Sequence, residues 1–103
     1  MDLNEKLKQL RKVSNYKIAR LKAKLYLGQD AELLPSSRKD KKYMVYDKNT
    51  EKYIHFGSIY YLDYLKHQDP ERRENYLRRS QAIKGDWENN KYSPNNLSIN
   101  ILW

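Results

Sequence analysis

The sequence contains no cysteine, only three glycines and three prolines among its 103 residues, and no long apolar run. The absence of cysteine excludes a disulfide framework, a thiolate nucleophile and cysteine-based zinc or iron–sulfur sites. So few glycines make a glycine-rich phosphate loop improbable, and no such motif is present. No run approaches the roughly 20 apolar residues that span a bilayer, and the opening MDLNEKLKQL lacks the apolar core of a signal peptide. We therefore expect a soluble, non-secreted protein without a transmembrane segment or a cofactor.

Apolar residues make up only 39% of the chain, and ten of the residues are tyrosines. A chain of this length supports one small domain. Tyrosine buries its ring but requires water or a hydrogen-bond partner for its hydroxyl. We therefore expect a small core with a large aromatic share.

Positive charge is in excess and is unevenly distributed. The net charge is +8, and residues 1–27 carry eight Lys or Arg and only two Asp or Glu. A basic N-terminal segment attached to a nearly neutral remainder predicts an anionic partner, such as nucleic acid, an acidic protein face or a membrane surface. The simpler alternative is a lysine-rich helix that is merely well solvated.

The N-terminal 27 residues have the periodicity of one amphipathic helix that ends before Gly28. Apolar residues recur at steps of three and four and form a narrow stripe, which suits packing against a partner helix better than a broad core face. We expect this stripe to bind another protein or a second copy of the chain. Its residues are Leu3, Leu7, Leu10, Ile18, Leu21 and Leu25.

Residues 28–41 mix glycine, proline, serine and charges, which predicts a linker that lets the basic helix move. Residues 42–103 then form a small α+β domain. In Lys42–Phe56, two segments rich in strand formers flank a polar turn, which predicts a β-hairpin. The fold class is therefore α+β, with a long N-terminal amphipathic helix, a β-hairpin and short helices packed on it.

Three capping signals predict short helices in this domain. Ser58 is expected to begin a helix that runs to about His67, with its tyrosines in the core. Asp69, followed by a proline, should begin another that runs to about Ile83, and Ser93 with its proline repeats the signal. The sequence ends on Ile-Leu-Trp. We expect this apolar tail to be buried in the domain or, through Trp103, in a partner.

Two histidines and two aspartates fall close together in the sequence: His55, Asp63, His67 and Asp69. Imidazole and carboxylate groups could bind a divalent metal ion or act as an acid–base pair. Their spacing matches no known metal motif. Asp63 could instead pair with Lys66, and Asp69 could serve only as a helix cap, so we assign no catalytic residue.

A cluster of arginines follows in the same region and could bind phosphates through paired hydrogen bonds. Nearby tyrosines could stack on unpaired bases. Against this, Glu71 and Glu74 could neutralise part of the cluster, for example through a pair between Glu74 and Arg78. The candidate anion contacts are Arg72, Arg73, Arg78, Arg79, Lys66 and Lys84, together with Lys8, Lys12 and Arg20 of the N-terminal helix.

Several short motifs keep a common order between residues 42 and 103: KYMV, HFG at His55–Gly57, H-x-D at His67–Asp69, ERRxxYLxR at Glu71–Arg79, then DW and a final ILW. In this order the segment resembles a family of short uncharacterised proteins of nucleocytoplasmic large DNA viruses. That family commonly has histidine where this chain has Ser80. The resemblance implies a viral origin and no particular activity.

These observations lead to three expectations about function. The first is a non-enzymatic structural or interaction component of a virion, such as a minor capsid or core protein, that bridges larger proteins. The second is a nucleic-acid-binding protein that contacts the phosphates of DNA or RNA through Arg and Lys. The third, a metal-dependent nuclease, has the least support. In each case we expect the protein in the virion or inside the host cell, in the cytoplasm or nucleus.

Overall fold

A computed structural model describes residues 2–103 and confirms the predicted α+β fold class, with a three-stranded antiparallel sheet and five α-helices. The helices are α1 (Leu3–Val13), α2 (Tyr16–Leu27), α3 (Tyr64–His67), α4 (Pro70–Gln81) and α5 (Pro94–Leu97), and the strands are β1 (Leu33–Pro35), β2 (Lys41–Asp47) and β3 (Lys52–Ser58). A 3₁₀ turn at Trp87–Asn89 and a π-helical segment at Ser98–Leu102 complete the architecture. Among the helices of residues 2–103, none has the length and apolarity needed to cross a membrane.

The N-terminal segment is two helices, so the prediction of one continuous helix is wrong. Ser14 and Asn15 have extended backbone, and the Asn15 side chain caps α2 by accepting from the Ile18 N–H at 3.2 Å. Ser14 is buried, and its hydroxyl accepts a hydrogen bond from the Tyr43 hydroxyl at 2.8 Å. The break therefore depends on tertiary contacts as well as on a local cap, although neither Gly nor Pro marks it in the sequence.

The segment expected to be a linker contains β1, which pairs antiparallel with β2 in the register Leu33↔Val45. The helices before it are part of the same core: Leu10, Ala19 and Ala23 are almost completely buried. The hydroxyl of Tyr16 also donates to the Leu33 carbonyl at 3.1 Å. The expectation of a basic helix separated from the domain by a linker is therefore wrong, because α1 and α2 pack into the same core.

The predicted β-hairpin is formed by β2 and β3, with Tyr43 paired to Phe56. Tyr43, Val45 and Asp47 alternate as buried residues along β2, as expected for a strand with one covered face. Tyr43 lies 5.7 Å from the Tyr16 ring and 6.2 Å from the Phe56 ring, measured between centroids. Aromatic packing thus connects α2 to both hairpin strands. The expectation of a large aromatic share is wrong for the buried core, because Tyr43 and Phe56 are the two aromatic residues among its twelve members in residues 2–103.

Two of the three predicted helix starts are correct. Asp69 caps α4 by accepting from the Glu71 N–H at 3.0 Å, and Ser93 caps α5 by accepting from the Asn96 N–H at 3.2 Å. The third is wrong, because α3 begins only after Asp63, whose carboxylate accepts from the Lys66 N–H. After buried Ile59, the turn at Tyr60, Tyr61 and Leu62 is exposed, so Tyr60 and Tyr61 are not core residues.

The apolar tail packs inside the domain. Leu97, Ile101 and Leu102 are almost fully buried, and half-buried Trp103 packs against them. Gly57 of β3 lies directly under this tail with a φ of +79°. A Cβ atom at Gly57 would lie 2.8 Å from Cδ1 of Leu102. The close approach of β3 to the tail therefore requires glycine at this position.

We expect Gly57→Ala to lower the free energy of unfolding by about 2–4 kcal/mol, because it combines a left-handed backbone with overpacking against Leu102. Urea denaturation followed by circular dichroism measures this loss. Gly85→Ala is the matched control, because Gly85 also has positive φ (+119°) but has open space around its Cβ position. Equal losses in the two variants would contradict the steric role of Gly57.

Candidate functional site

A cavity of about 730 Å³ opens between α4, the turn after β3, the start of β2 and the tail. We call it the basic–aromatic cleft. Within residues 2–103, no Asp or Glu lines it. Its cationic side chains are Lys41, Lys42, Arg72 and Arg79, and its aromatic lining includes Tyr61, His67, Tyr76 and Trp103. Such a lining favours anions that carry a flat ring.

One face of α4 forms a wall of the cleft. Arg72, Asn75, Tyr76 and Arg79 all line it and follow the i, i+3, i+4, i+7 spacing of a single helix face. The rise of 1.5 Å per residue places Arg72 and Arg79 about 10.5 Å apart along the helix axis. The capping carboxylate of Asp69 fixes where this helix begins. The register of the cap therefore determines which arginines face the cleft.

The four arginines of the predicted cluster divide into two pairs. Arg78 forms the predicted ion pair with Glu74 at 3.1 Å, and neither side chain lines the cleft. The Nε of Arg73 donates to the Trp103 carbonyl at 2.7 Å, and its guanidinium lies 5.5 Å from the centre of the Tyr64 ring. In the described chain, Arg72 and Arg79 have no carboxylate within ion-pair distance. These two are therefore the arginines that remain free for an anion.

One of the lining lysines, Lys42, belongs to a buried ion pair that the sequence did not reveal. The ammonium of Lys42 lies 3.4 Å from the Asp63 carboxylate, and both side chains are almost fully buried. Burial raises the pKa of Asp63 and lowers that of Lys42, while each charge partly offsets the shift in its partner. The predicted pair between Asp63 and Lys66 does not form. Asp63 therefore neutralises Lys42, which leaves Lys41 as the lysine of the lining without an ion-pair partner.

A stack of rings closes the inner end of the cleft. Trp103 stacks on Tyr76 with centroids 4.0 Å apart and planes inclined by 8°, and His67 lies 5.1 Å from Trp103 on centroids. Nδ1 of His67 accepts from the Asp69 N–H at 2.9 Å, so the neutral ring carries its proton on Nε2. Burial and the charge of Arg72 lower the pKa of His67. His67 therefore offers a neutral N–H donor, and within residues 2–103 that buried Nε2 has no hydrogen-bond partner.

The outer end of the cleft is formed by the turn after β3. Tyr61 lines the cavity with 72% of its surface exposed, whereas Tyr60 beside it is 71% exposed and lies outside the cavity. Neither ring pairs with another aromatic ring in the described chain. Tyr61 is thus an unpaired aromatic face at the mouth of a cationic cavity.

The structure does not assemble the four residues considered for metal binding. Nδ1 of His55 lies 2.6 Å from the Ser36 hydroxyl, Asp63 pairs with Lys42, and Asp69 caps α4. Within residues 2–103, no three His, Asp or Glu side chains group as a metal site would require. Each of these carboxylates therefore has a structural partner.

The remaining candidate cations lie outside the cleft. All five are exposed, and none of them lines the cavity; they are Lys66, Lys84, Lys8, Lys12 and Arg20. Arg20 lies over the Tyr16 ring at 5.4 Å from its centre. Sequence reasoning missed Lys41 and Lys42 because a lysine at the start of a strand looks the same whether it faces solvent or a cavity.

The leucine stripe predicted to bind a partner is divided by the helix break. Leu10 is buried in the core, and Leu7 and Ile18 pack partly against it. Leu3, Leu21 and Leu25 are exposed, with Leu25 reaching 82%. Trp103, the other predicted interface residue, packs within the domain. The stripe is therefore not one continuous surface.

Comparison with known proteins gives one match. Residues 31–80 are similar to a family of unknown function (DUF5754). The matched segment runs from β1 to near the end of α4 and includes Lys41, Lys42, Tyr61 and the cleft-facing residues of α4. The tail that supplies Trp103 lies outside it. No curated protein and no solved structure matches the chain.

We expect Asp63→Asn to lower the free energy of unfolding at pH 7 by about 3 kcal/mol, because it leaves Lys42 buried without a counter-charge. Adding Lys42→Met should recover much of that loss, since the uncompensated ammonium is then removed. Urea denaturation of both variants and the wild type measures these differences. A double variant no more stable than Asp63→Asn would contradict the pairing.

The same pair predicts a pH dependence. The pKa of Asp63 in the folded protein lies above its ordinary value of 3.8, so in the interval between the two values the folded state binds more protons than the unfolded state. The contribution of Asp63 to the free energy of unfolding therefore falls as pH rises through that interval. The Asp63→Asn variant should lack this fall in the free energy of unfolding. Urea denaturation of the wild type and the variant at a series of pH values measures the difference.

Proposed function

We propose that this protein binds single-stranded nucleic acid, without catalysis, through the basic–aromatic cleft. The observation that carries the proposal is the lining of the cavity: Lys41, Arg72 and Arg79 without ion-pair partners, together with aromatic rings. Arginine and lysine bind phosphates, and aromatic faces bind bases of any sequence. Both components occur in one cavity.

The shape of the site favours a single strand over a duplex. Proteins that read duplex DNA usually insert a helix or a β-ribbon into a groove, whereas here the cationic side chains line a concave surface. The rings of Tyr61, Tyr76 and Trp103 lie among these cations. Only unpaired bases can stack on them, because paired bases are already stacked within the duplex.

The structural roles of the acidic residues support binding and not catalysis. Asp63 is occupied by Lys42, and Asp69 is occupied by the first N–H groups of α4. A general acid or base must reach the reacting group, and neither carboxylate lines the cleft. The arrangement thus provides cations and rings for recognition.

We expect Arg72→Ala/Arg79→Ala to weaken binding of a short single-stranded oligonucleotide about 100-fold or more at low salt, because two charge-assisted contacts are lost. The slope of log K against log salt should become shallower by about 1.4, since each phosphate contact on a single strand contributes about 0.7. Fluorescence anisotropy between about 50 and 200 mM salt measures both quantities.

Lys8→Ala/Lys12→Ala is the matched control, because it removes the same charge from exposed positions of α1. It should bind within about threefold of the wild type, as expected for distant surface charges. If this control loses as much affinity as the arginine variant, the interaction lies on the N-terminal helices and not in the cleft. No binding by the wild type at low salt would refute the proposed function.

A second candidate function is a bridge between larger proteins, as in a minor virion component of a large DNA virus. Its support is Leu21 and Leu25, which lie one turn apart on α2 and are 56% and 82% exposed. Two exposed leucines in i, i+4 positions offer an apolar contact for a helix of another protein or of a second copy. The order of motifs in residues 42–103 is the support for the viral setting.

If self-association through α2 occurs, the sedimentation coefficient of the wild type should rise with concentration, and Leu21→Ser/Leu25→Ser should sediment as a monomer. Because both leucines are exposed, replacing them with serine should change the free energy of unfolding by no more than about 0.5 kcal/mol in addition to the difference in helix propensity. Identical, concentration-independent sedimentation of the two proteins would contradict the self-association form of this candidate.

A further inference from the structure

The cations on α4 are placed on either side of the aromatic part of the cleft. Tyr76 and Asn75 lie between Arg72 and Arg79, and the arginines are about 10.5 Å apart along the helix axis. A nucleotide inside a strand likewise has one phosphate on each side of its sugar and base. The order arginine, aromatic ring, arginine along α4 thus matches the order phosphate, base, phosphate along a strand.

Tyr61 supplies the ring that remains open to a base. Tyr76 and Trp103 are already stacked on each other at 4.0 Å, whereas Tyr61 has no aromatic partner in the described chain and is 72% exposed. It comes from the turn after β3, and the arginines come from α4, so two separate elements contribute to one cavity. A base could stack on Tyr61 without separating any existing ring pair.

The volume and the polar groups of the cavity are those of a small-ligand site. Its volume of about 730 Å³ lies in the range of pockets that bind small molecules. Asn75 and Asn95 line it, and buried Nε2 of His67 lacks a partner in residues 2–103. The Asn75 amide and Oδ1 of Asn95, whose Nδ2 already donates to the Ser80 carbonyl, can bond to the edge of a base. A surface that merely attracts phosphate requires no such groups.

We infer that the cleft holds one unpaired nucleotide of a strand, with its base on Tyr61 and its flanking phosphates on Arg72 and Arg79. The inference rests on the proposed function and specifies its ligand. A free nucleoside monophosphate has the same chemistry as the inserted nucleotide and should occupy the same cavity, though with fewer phosphate contacts than a strand.

The test is a competition experiment on the full chain. A fluorescent oligothymidylate of about eight nucleotides is bound at low salt and then displaced by thymidine monophosphate, thymidine or inorganic phosphate in separate titrations. The proteins are the wild type, Tyr61→Ala, Tyr61→Phe and Tyr60→Ala. Tyr60 is a matched control because it is adjacent, equally exposed and outside the cavity.

Thymidine monophosphate should compete at least tenfold better than phosphate or thymidine alone, because it combines both halves of the site. Tyr61→Ala should weaken the monophosphate about tenfold, as expected for the loss of one stacked base. Tyr61→Phe should stay within about twofold because it keeps the stacking ring. Tyr60→Ala should also stay within about twofold because Tyr60 lies outside the cavity.

Other outcomes separate the inference from the function on which it rests. If the oligonucleotide binds but phosphate competes as well as the monophosphate, or if Tyr61→Ala behaves as wild type, the nucleotide site is refuted and strand binding stands. If the oligonucleotide does not bind, thymidine monophosphate is titrated directly and followed by tryptophan fluorescence, since Trp103 lines the cavity. Binding of the monophosphate alone would refute strand binding and make the cleft a site for free nucleotides. If neither binds, both are refuted.

Discussion

The buried ion pair between Lys42 and Asp63 is the constraint on which the rest of the structure depends. Two charges without water are tolerated only when geometry and additional hydrogen bonds compensate for their desolvation. One carboxylate oxygen of Asp63, Oδ1, accepts from the Lys66 N–H at 3.2 Å, whereas Oδ2 faces the Lys42 ammonium and has no hydrogen-bond partner within residues 2–103. The Asp63 N–H donates to the Val13 carbonyl at 3.0 Å. The pair thereby joins the end of α1, strand β2 and the start of α3 at one point.

That junction determines what the cleft can offer a ligand. Because Asp63 neutralises Lys42, the free positive charge of the lining lies on Lys41, Arg72 and Arg79. The tail completes the far wall, since Arg73 holds the Trp103 carbonyl and the Trp103 ring stacks on α4. Residues that secure the fold and residues that are free to bind are therefore distinct groups, although they alternate along the same helix.

Interactions between residues close in the sequence were predictable, whereas interactions between residues far apart in the sequence were not. The caps at Asp69 and Ser93, the hairpin and the pair between Glu74 and Arg78 each depend on neighbours within a few residues, so their patterns are visible. The helix break at Ser14 depends partly on the hydroxyl of Tyr43, 29 residues away. The cleft likewise combines separate elements, and composition alone could not choose Arg72 and Arg79 from four similar arginines.

The central claim is that the cleft, and not the basic N-terminal helices, contacts nucleic acid. The most direct measurement is a nitrogen–proton correlation spectrum of the labelled protein during titration with short oligothymidylate. The account predicts the largest shift changes at Lys41, Tyr61, Asn75 and Arg79 and at the indole N–H of Trp103. Changes confined to α1 and α2, with the cleft signals unmoved, would contradict it.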